Sequence, residues 1–532
     1  MTRTASLILA VILATSALAA EFTVNAGETG KRVFPLNGVN AGPAHMKGQH
    51  AMDLTAQYQE MGISLVRTHD YYGYIDLSNI FPHSWDTDPA NHGNYDFSGA
   101  DDVINEVEAA GCDVMFRLGE SWYTPSHNQI PSNHANVAHV CKHIIMHYGG
   151  DDCNPYNCRI RLWEFWNEPN LDKFWDVKAD PNFTKFFSMY GRVAYEVKRR
   201  FPHIQLGGPG TAGSDDAGIE KFARQFVQAL RDNPHDPPLD FYSWHSYNRD
   251  NDGPYVFARQ AQKVRAVLNA AGFAKTENVL SEWNSSSVRA GGQHPTEEDL
   301  QWRHTLFNID GAAFSAAALI YMHLYSDIRY ACRYRGDIHS GDEGYGLMDT
   351  GGNIKKPGYA FKAYAGLFPQ REWRKMYLLS GTGGDTGNEG KAGKCRAMMA
   401  TTDEDRTVVN VLIALWEHGN EGFSLTVSNL PDGWQQPMME HYVVSQKQDY
   451  YEQASRSIAQ QYARDKAYRY TCKQVPDTTS SVHLVRLYDA AKFPTLQPTG
   501  VQPATGPQPP QQPRPFPPIR RFPRPWPPRP GR

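Results

Sequence analysis

Arg161-Leu162-Trp163-Glu164-Phe165-Trp166-Asn167-Glu168-Pro169-Asn170 reads as a short apolar strand that stops abruptly at Asn-Glu-Pro. Leu, Phe and two Trp demand burial, and Pro169 cannot continue the hydrogen-bond ladder of a central strand. Glu168 therefore stands where a strand gives way to a loop, beside indole rings. A carboxylate in that setting is partly desolvated, which favours its protonated form and prepares it as a general acid. The blander reading is a strand-end glutamate that caps the next helix.

Outward from this stretch, apolar, β-rich runs recur: Phe34–Val39, Ser64–Thr68, Asp113–Leu118, Ile160–Trp166, Ile204–Gly207, Leu239–Trp244, Asn278–Ser281 and Ala318–Tyr325. Amphipathic segments lie between them, among them Asp101–Ala110, Phe183–Arg200, Gly218–Arg231, Phe257–Ala271 and Thr296–Ala316. Eight strands alternating with helices predict an α/β fold, a (β/α)8 TIM barrel over residues 20–365. An open doubly wound sheet is the competing topology, but no Gly-rich phosphate loop follows the first strand.

Catalytic groups of such barrels stand at the carboxyl ends of the strands. Polar residues gather there: Arg67-Thr68-His69-Asp70, Gly119-Glu120-Ser121-Trp122, Asn167-Glu168, His245-Ser246-Tyr247, Glu282-Trp283-Asn284 and His323-Leu324-Tyr325-Ser326-Asp327. Glu168 ends strand four and Glu282 ends strand seven, and these strands face each other across the mouth. Two carboxylates on opposite sides of a small substrate suit glycoside hydrolysis: one protonates the leaving oxygen, the other meets the anomeric carbon. Glu168 fits the acid. Glu282 must be ionised to attack, and Tyr247 and Arg67 are the strand-end groups able to stabilise its charge.

The bulk composition is compatible with this chemistry and excludes others. A net charge of −4 over 532 residues offers no field for nucleic acid. Aromatics at 12% are plentiful enough to stack on sugar faces. Residues 1–19 read as a signal peptide, with Arg3, the apolar Leu7–Leu13 and the Ala17-Leu18-Ala19 cleavage pattern, so the chain is expected to be secreted and extracellular. No segment predicts a transmembrane span. Seven cysteines in an oxidising compartment imply disulfides, with Cys153–Cys158 and Cys395–Cys472 as candidate pairs. No cofactor and no metal are expected, since there is no CxxC and the histidines are scattered.

Residues 366–492 change to short alternating strands with Gly-rich turns, predicting a β-sandwich accessory domain. Tyr450–Tyr470 is awkward there, being helical in composition. Residues 493–532 form a Pro/Arg-rich tail; from Pro494 it carries six Arg and no acid, leaving −10 for the rest. It cannot bury enough surface to fold and is expected to be disordered. A spacer, or a tether to an anionic surface or wall, are its two readings.

The Trp166-Asn167-Glu168-Pro169-Asn170 motif, with Glu282-Trp283 at the end of strand seven, resembles clan A glycoside hydrolases. Val66-Arg67-Thr68-His69, Tyr95-Asp96-Phe97, Gly207-Gly208-Pro209-Gly210, His245-Ser246-Tyr247 and Gly344-Tyr345-Gly346-Leu347 narrow the resemblance to glycoside hydrolase family 39, the β-xylosidase family. The resemblance implies a retaining glycosidase with Glu282 as nucleophile and Glu168 as acid/base. Asn167 matches the residue that bonds the sugar 2-hydroxyl, His245 and Tyr247 the family's His-x-Tyr, and His69 a glycone-pocket histidine. Arg67, Trp122, Trp283 and Tyr325 complete the candidate substrate-binding set. One departure stands out. Met322–Tyr330, matched to the family's eighth strand end, lacks the expected Trp and the paired glutamates, so the glycone is open. Arg329, Arg333 and Arg335 suit an anionic sugar. A carbohydrate-binding pseudoenzyme or adhesin is the alternative function, and an antimicrobial tail carried by the barrel a third.

Overall fold

A computed structural model of the chain describes residues 20–493, apart from 44–51, 126, 151–158, 214, 249–251, 287–296, 340, 370–374, 383, 386–393, 419, 474 and 476. The signal peptide, the tail and the Cys153–Cys158 pair lie outside the described residues.

The chain opens with β1 (Ala20–Val33) and then enters a closed parallel barrel. Its strands are β2 (Gly38–Asn40), β3 (Leu65–Arg67), β4 (Asp113–Leu118), β5 (Leu162–Phe165), β6 (Gln205–Thr211), β7 (Phe241–Tyr247), β8 (Glu277–Asn284) and β9 (Ile328–Arg333), in that order around the ring. The expected (β/α)8 architecture is present. Seven strands fall where the apolar runs predict them. The eighth does not.

Ala318–Tyr325 is the second half of a helix, Ile309–Tyr325, and the last barrel strand is β9, a few residues later. Alanine is the strongest helix former, and this segment holds five within seven residues, Ala312–Ala318. The helix hides from a periodicity reading because Ile309–His323 is buried on every side, leaving no polar face to mark the 3.6-residue repeat. It lies between barrel and accessory sheet: the Phe314 ring meets Phe257 of the barrel helix Val256–Ala270 at 6.2 Å and Trp416 of the sheet at 5.6 Å.

The accessory domain is one mixed sheet of nine strands. β10 (Met376–Thr382), β11 (Cys395–Asp403), β12 (Val408–Trp416), β13 (Phe423–Ser428), β14 (Pro437–Val444), β15 (Tyr451–Ser457), β16 (Tyr468–Cys472) and β17 (Ser481–Asp489) join β1 in the order β15-β14-β17-β12-β11-β10-β1-β13-β16. The sheet curls on itself into a sandwich, so that Phe423 of β13 contacts His483 of β17 at 4.9 Å. Tyr450–Tyr470, helical in composition, instead holds β15, the first part of β16 and only a short helix, Ala459–Asp465. Tyr468 and Tyr470 of β16 face into the sandwich core, and cross-strand packing outweighs local preference.

Two expectations are corrected here. Residues 20–33 belong to the accessory sheet and not to the barrel: β1 pairs antiparallel with β10 and parallel with β13. Its alternation, with Ala20, Phe22 and Val24 buried and Glu21 and Thr23 exposed, is that of a half-covered strand, whereas barrel strands such as β4, β5 and β6 are buried on both faces. Cys395 and Cys472 are both free and buried. Cys395 pairs in register with Trp416 and Cys472 with Phe423, and β10, β1 and β13 separate their strands in the sheet.

Trp416 is fully buried between Phe314 and Trp302 (5.8 Å), at the seam of the two domains. Trp416→Ala is expected to cost about 3–5 kcal/mol by opening a cavity there. Urea unfolding should show that loss in a single shared transition; early unfolding of the sheet alone would show that the seam does not couple the domains.

Candidate active site

The carboxyl ends of β3, β5, β7 and β8 bring one connected set of side chains to the barrel mouth. At its centre is Arg67, fully buried at the end of β3. Its Nε donates to Glu164 Oε2 (2.5 Å), Nη1 to Glu282 Oε1 (2.7 Å) and Asn40 Oδ1 (2.9 Å), and Nη2 to Asn167 Oδ1 (2.8 Å). A planar guanidinium is the side chain that serves four acceptors at once.

Glu282 on β8 is also buried. Besides Arg67 it accepts from Tyr247 Oη at Oε2 (2.6 Å). Burial pushes its pKa above the ordinary carboxylate value; His245 and Arg67 pull it down, Glu168 pushes it up, and the Tyr247 hydrogen bond lowers it. The anion thus pays for desolvation and recovers part of that from its donors.

Glu168 stands on a sharply turned backbone. Trp166 and Glu168 both take positive φ (78° and 44°), and Glu168 N donates to Gly210 O at 2.8 Å. Left-handed φ in bulky residues is held only by surrounding structure and marks functional turns. The indole rings are not the wall expected of them. Trp163 packs on Phe116 (5.0 Å), and Trp166 packs on Trp175 (5.5 Å) and bonds Phe174 O through Nε1 (2.9 Å). Alternation along β5 turns Trp163 and Phe165 outward to the helices and Glu164 inward. What Glu168 meets is His245, whose Nδ1 is 2.9 Å from Oε1.

His245 also lies 3.6 Å from Glu282 Oε2, bridging the two carboxylates. Burial pushes its pKa down to about 4, so the ring is neutral and Nδ1–H donates. Gly210 makes this packing feasible: it has φ +62°, and a Cβ there would come within 3.2 Å of His245 Nε2 and 3.3 Å of Arg67 Nη2. Donor atoms of Glu168, His245 and Glu282 lie within 4.8 Å of one another, so the two carboxyl groups face each other at close range.

Among the described residues, Asn167 Nδ2 is buried without a hydrogen-bond partner, while its Oδ1 is fixed by Arg67. It is a donor held ready for something the protein does not supply. His69, buried against Phe174, lies 3.7 Å from Glu282 Oε1 and 3.4 Å from Asp70 Oδ1. Trp122 is 43% exposed on the loop after β4, against Tyr123 (4.2 Å) and Lys173 (5.2 Å), as a rim aromatic.

Two expected residues are not at the mouth. Trp283 follows Glu282 on β8, so alternation points it outward, where Phe257 (5.2 Å) and Phe361 (6.3 Å) enclose it. Tyr325 ends the helix Ile309–Tyr325 and contacts Tyr255 and Tyr321. His323 bonds Tyr364 Oη (2.6 Å) in the core, so Met322–Tyr330 is no strand end. The true end of strand eight is Arg333-Tyr334-Arg335-Gly336-Asp337. Tyr334 Oη donates to Asp70 Oδ2 (2.6 Å), and Arg335 forks onto Asp337 (2.5 and 2.6 Å). Arg329 stacks on Phe34 (3.8 Å) beside Glu277, at the amino end of β8, and Arg333 is sealed against Asn284 Oδ1 and Tyr345 O. The anionic-sugar expectation loses its basis, because these guanidiniums are neutralised, buried or at the wrong end.

Glu164, Asn40, Asp70 and Tyr334 join the site without having been singled out. A glutamate in the middle of an apolar central strand was itself a signal, since a buried charge requires a partner. Glu120 is buried and accepts from Ser78 N and Oγ; burial and nearby Asp76 push its pKa up to about 8.

Comparison with known proteins places this geometry. The family model described as "Glycosyl hydrolases family 39" matches residues 34–290. A β-xylosidase of Geobacillus stearothermophilus is 30% identical over 175 residues, 30% of this chain and 32% of that protein. One of Caldicellulosiruptor saccharolyticus is 31% identical over 166 residues, 28% of this chain and 29% of the relative. The matched stretch thus spans about a third of these curated relatives. Among solved structures, a glucosidase from Croceicoccus marinus has a TM-score of 0.71 at 23% identity, covering 88% of this chain and 99% of that one. A family 39 β-xylosidase from Caulobacter crescentus has 0.61 at 16%, covering 88% and 100%. These two share the fold. The matched segment runs through β8 and contains both glutamates, and this part of the chain, residues 34–290, belongs to glycoside hydrolase family 39.

Proposed function

We propose that the protein is a secreted retaining glycosidase, β-xylosidase-like, with Glu282 as nucleophile and Glu168 as acid/base. The observation that carries this reading is the close approach of the two carboxylates, with donor atoms within 4.8 Å. Retaining enzymes hold their carboxyls about 5–5.5 Å apart, whereas inverting ones need roughly 6.5–9.5 Å to admit a water. In the first step Glu282 bonds to the anomeric carbon while Glu168 protonates the departing oxygen. In the second, Glu168 takes a proton from the water that releases the sugar. With Oε1 held by His245, Oε2 is the atom assigned to carry the proton. Asn167 Nδ2 is the donor for the hydroxyl next to the anomeric carbon.

The relatives' names include β-xylosidase and glucosidase, so xylose and glucose are the first glycones to test. A panel of nitrophenyl glycosides, with the product anomer followed by NMR, tests the reading. Release of the sugar with retained configuration is expected; an inverted product, or no turnover on any glycoside, would defeat it.

Tyr247→Phe removes a hydrogen bond that favours ionised Glu282. The sign follows: the nucleophile must be a carboxylate, its pKa is already raised, and losing this donor raises it further. kcat/KM should fall about 10–100-fold, and its acidic limb should move to higher pH. An unmoved limb would mean that Tyr247 does not tune Glu282.

Export is supported by the signal pattern of residues 1–19; N-terminal sequencing of secreted protein should find Ala20. Among the described residues no helix is long and apolar enough to cross a membrane. For the tail we propose a tether to anionic surfaces: deleting residues 494–532 should weaken retention on an anionic polysaccharide, and unchanged retention would remove the idea.

A further inference from the structure

The accessory sandwich encloses a second cluster of chemically capable side chains, far along the chain from the glutamates. His441 on β14, Cys472 on β16 and His483 on β17 are buried, and one donor atom from each lies within 4.8 Å of the others. β14 and β17 are neighbours in the sheet, while β16 is at the opposite end of the strand order; the curl of the sheet brings it over. Histidines that look scattered in the sequence are thus gathered by tertiary structure.

The two imidazoles face each other, His441 Nε2 to His483 Nδ1 at 3.0 Å. Each outer nitrogen meets a hydroxyl: His441 Nδ1 has Tyr470 Oη at 2.8 Å, and His483 Nε2 has Ser481 Oγ at 2.9 Å. Imidazoles that ligate metals are oriented in this way by a partner on the second nitrogen. A nitrogen–nitrogen hydrogen bond of 3.0 Å needs a proton on one ring and a lone pair on the other, and buried together the two rings pair as neutral imidazoles. Among the described residues, the hydrogen-bond partners of the two rings are each other and these hydroxyls, with no carboxylate. The Cys472 thiol donates to Lys473 O (3.3 Å) and lies 3.9 Å from Gln453 Oε1.

We propose that His441, Cys472 and His483 form a binding site for a soft metal ion, and that copper(I) is the species these donors fit. Thiolate and imidazole are the ligands that soft ions select. Charge decides among such ions. A thiolate, two neutral imidazoles and a monovalent cation sum to zero, whereas a divalent ion leaves a buried net charge, with no carboxylate in the His441, Cys472 and His483 set to balance it. Loading releases the thiol proton to solvent as the sulfur–copper bond forms. The proton between the facing nitrogens moves to an outer nitrogen, where a hydroxyl oxygen accepts it; no electron is transferred. Because β16 is an edge strand, the ion has a short route in. Once bound, it joins β14 and β17 to β16 and shields the thiol from oxidation.

The test uses the full chain with copper(I) alone, kept reduced and anaerobic, in competition with a bathocuproine-type chelator. Wild type is expected to hold one ion per chain, and Cys472→Ser to lose it, while Cys395→Ser, another buried free cysteine, retains it. Alkylation of native wild-type Cys472, followed by mass spectrometry, should slow at least about tenfold on loading. This arm needs no variant and stands even if Cys472→Ser fails to fold. Equal retention by Cys472→Ser and wild type, or unchanged alkylation of Cys472 in the loaded protein, would overturn the site.

Discussion

Glu282→Ala is expected to reduce turnover by about 10⁵-fold or more, because without a nucleophile no glycosyl-enzyme forms. The fold should survive, since removing Glu282 relieves a buried charge whose pKa desolvation already raises. Glu168→Ala should behave differently. Glycosides with poor leaving groups lose about 10²–10⁴-fold, while dinitrophenyl glycosides, which depart without protonation, should still form the covalent intermediate and accumulate it. Azide then separates the roles. Added to Glu168→Ala it attacks the glycosyl-enzyme and gives a glycosyl azide of retained configuration; added to Glu282→Ala it replaces the nucleophile directly and gives the inverted product. NMR of the two azides decides the assignment. Swapped stereochemistry would exchange the proposed roles, and identical stereochemistry from both variants would abolish them.

Arg67→Met is expected to be the most damaging substitution outside the two glutamates. Arg67 is the partner of buried Glu164 and Glu282 and of the Asn40 and Asn167 side-chain oxygens. Stripping one member from a buried ionic set leaves uncompensated charge, with a cost of about 3–5 kcal/mol. Urea unfolding followed by circular dichroism should show it directly. Arg67→Lys should rescue little, because an ammonium is a point charge and cannot reach four acceptors in a plane. The double variant Arg67→Met/Glu164→Met should recover part of the stability without recovering turnover, since Glu282 and Asn167 still lack their support. A loss below about 1 kcal/mol for Arg67→Met would mean that solvent or local rearrangement satisfies these groups.

The legible part of this protein is the part written in short-range patterns. Apolar runs ending in polar residues located seven barrel strands, and the Asn-Glu-Pro stop after Trp166 placed Glu168 at a strand end because proline cannot extend a ladder. Glu282 was found in the same way, at the end of a run that stops at Asn284. The last strand was missed because the helix before it is buried all round and carries no polar stripe. The Trp283 reading failed for a simpler reason: side chains of a strand alternate, and two neighbours on β8 cannot both face the mouth.

By itself, then, the sequence determined seven of the barrel strands, their order and the two glutamates at strand ends, since hydrophobic period and backbone chemistry act over a few residues. Tertiary structure decided what each side chain meets. It put Arg67 between Glu164 and Glu282, His245 between the two carboxylates, β1 in the far sheet and His441 beside His483. Those pairings join residues tens to hundreds of positions apart, and only the closure of the barrel and the curl of the sheet bring them within hydrogen-bond reach.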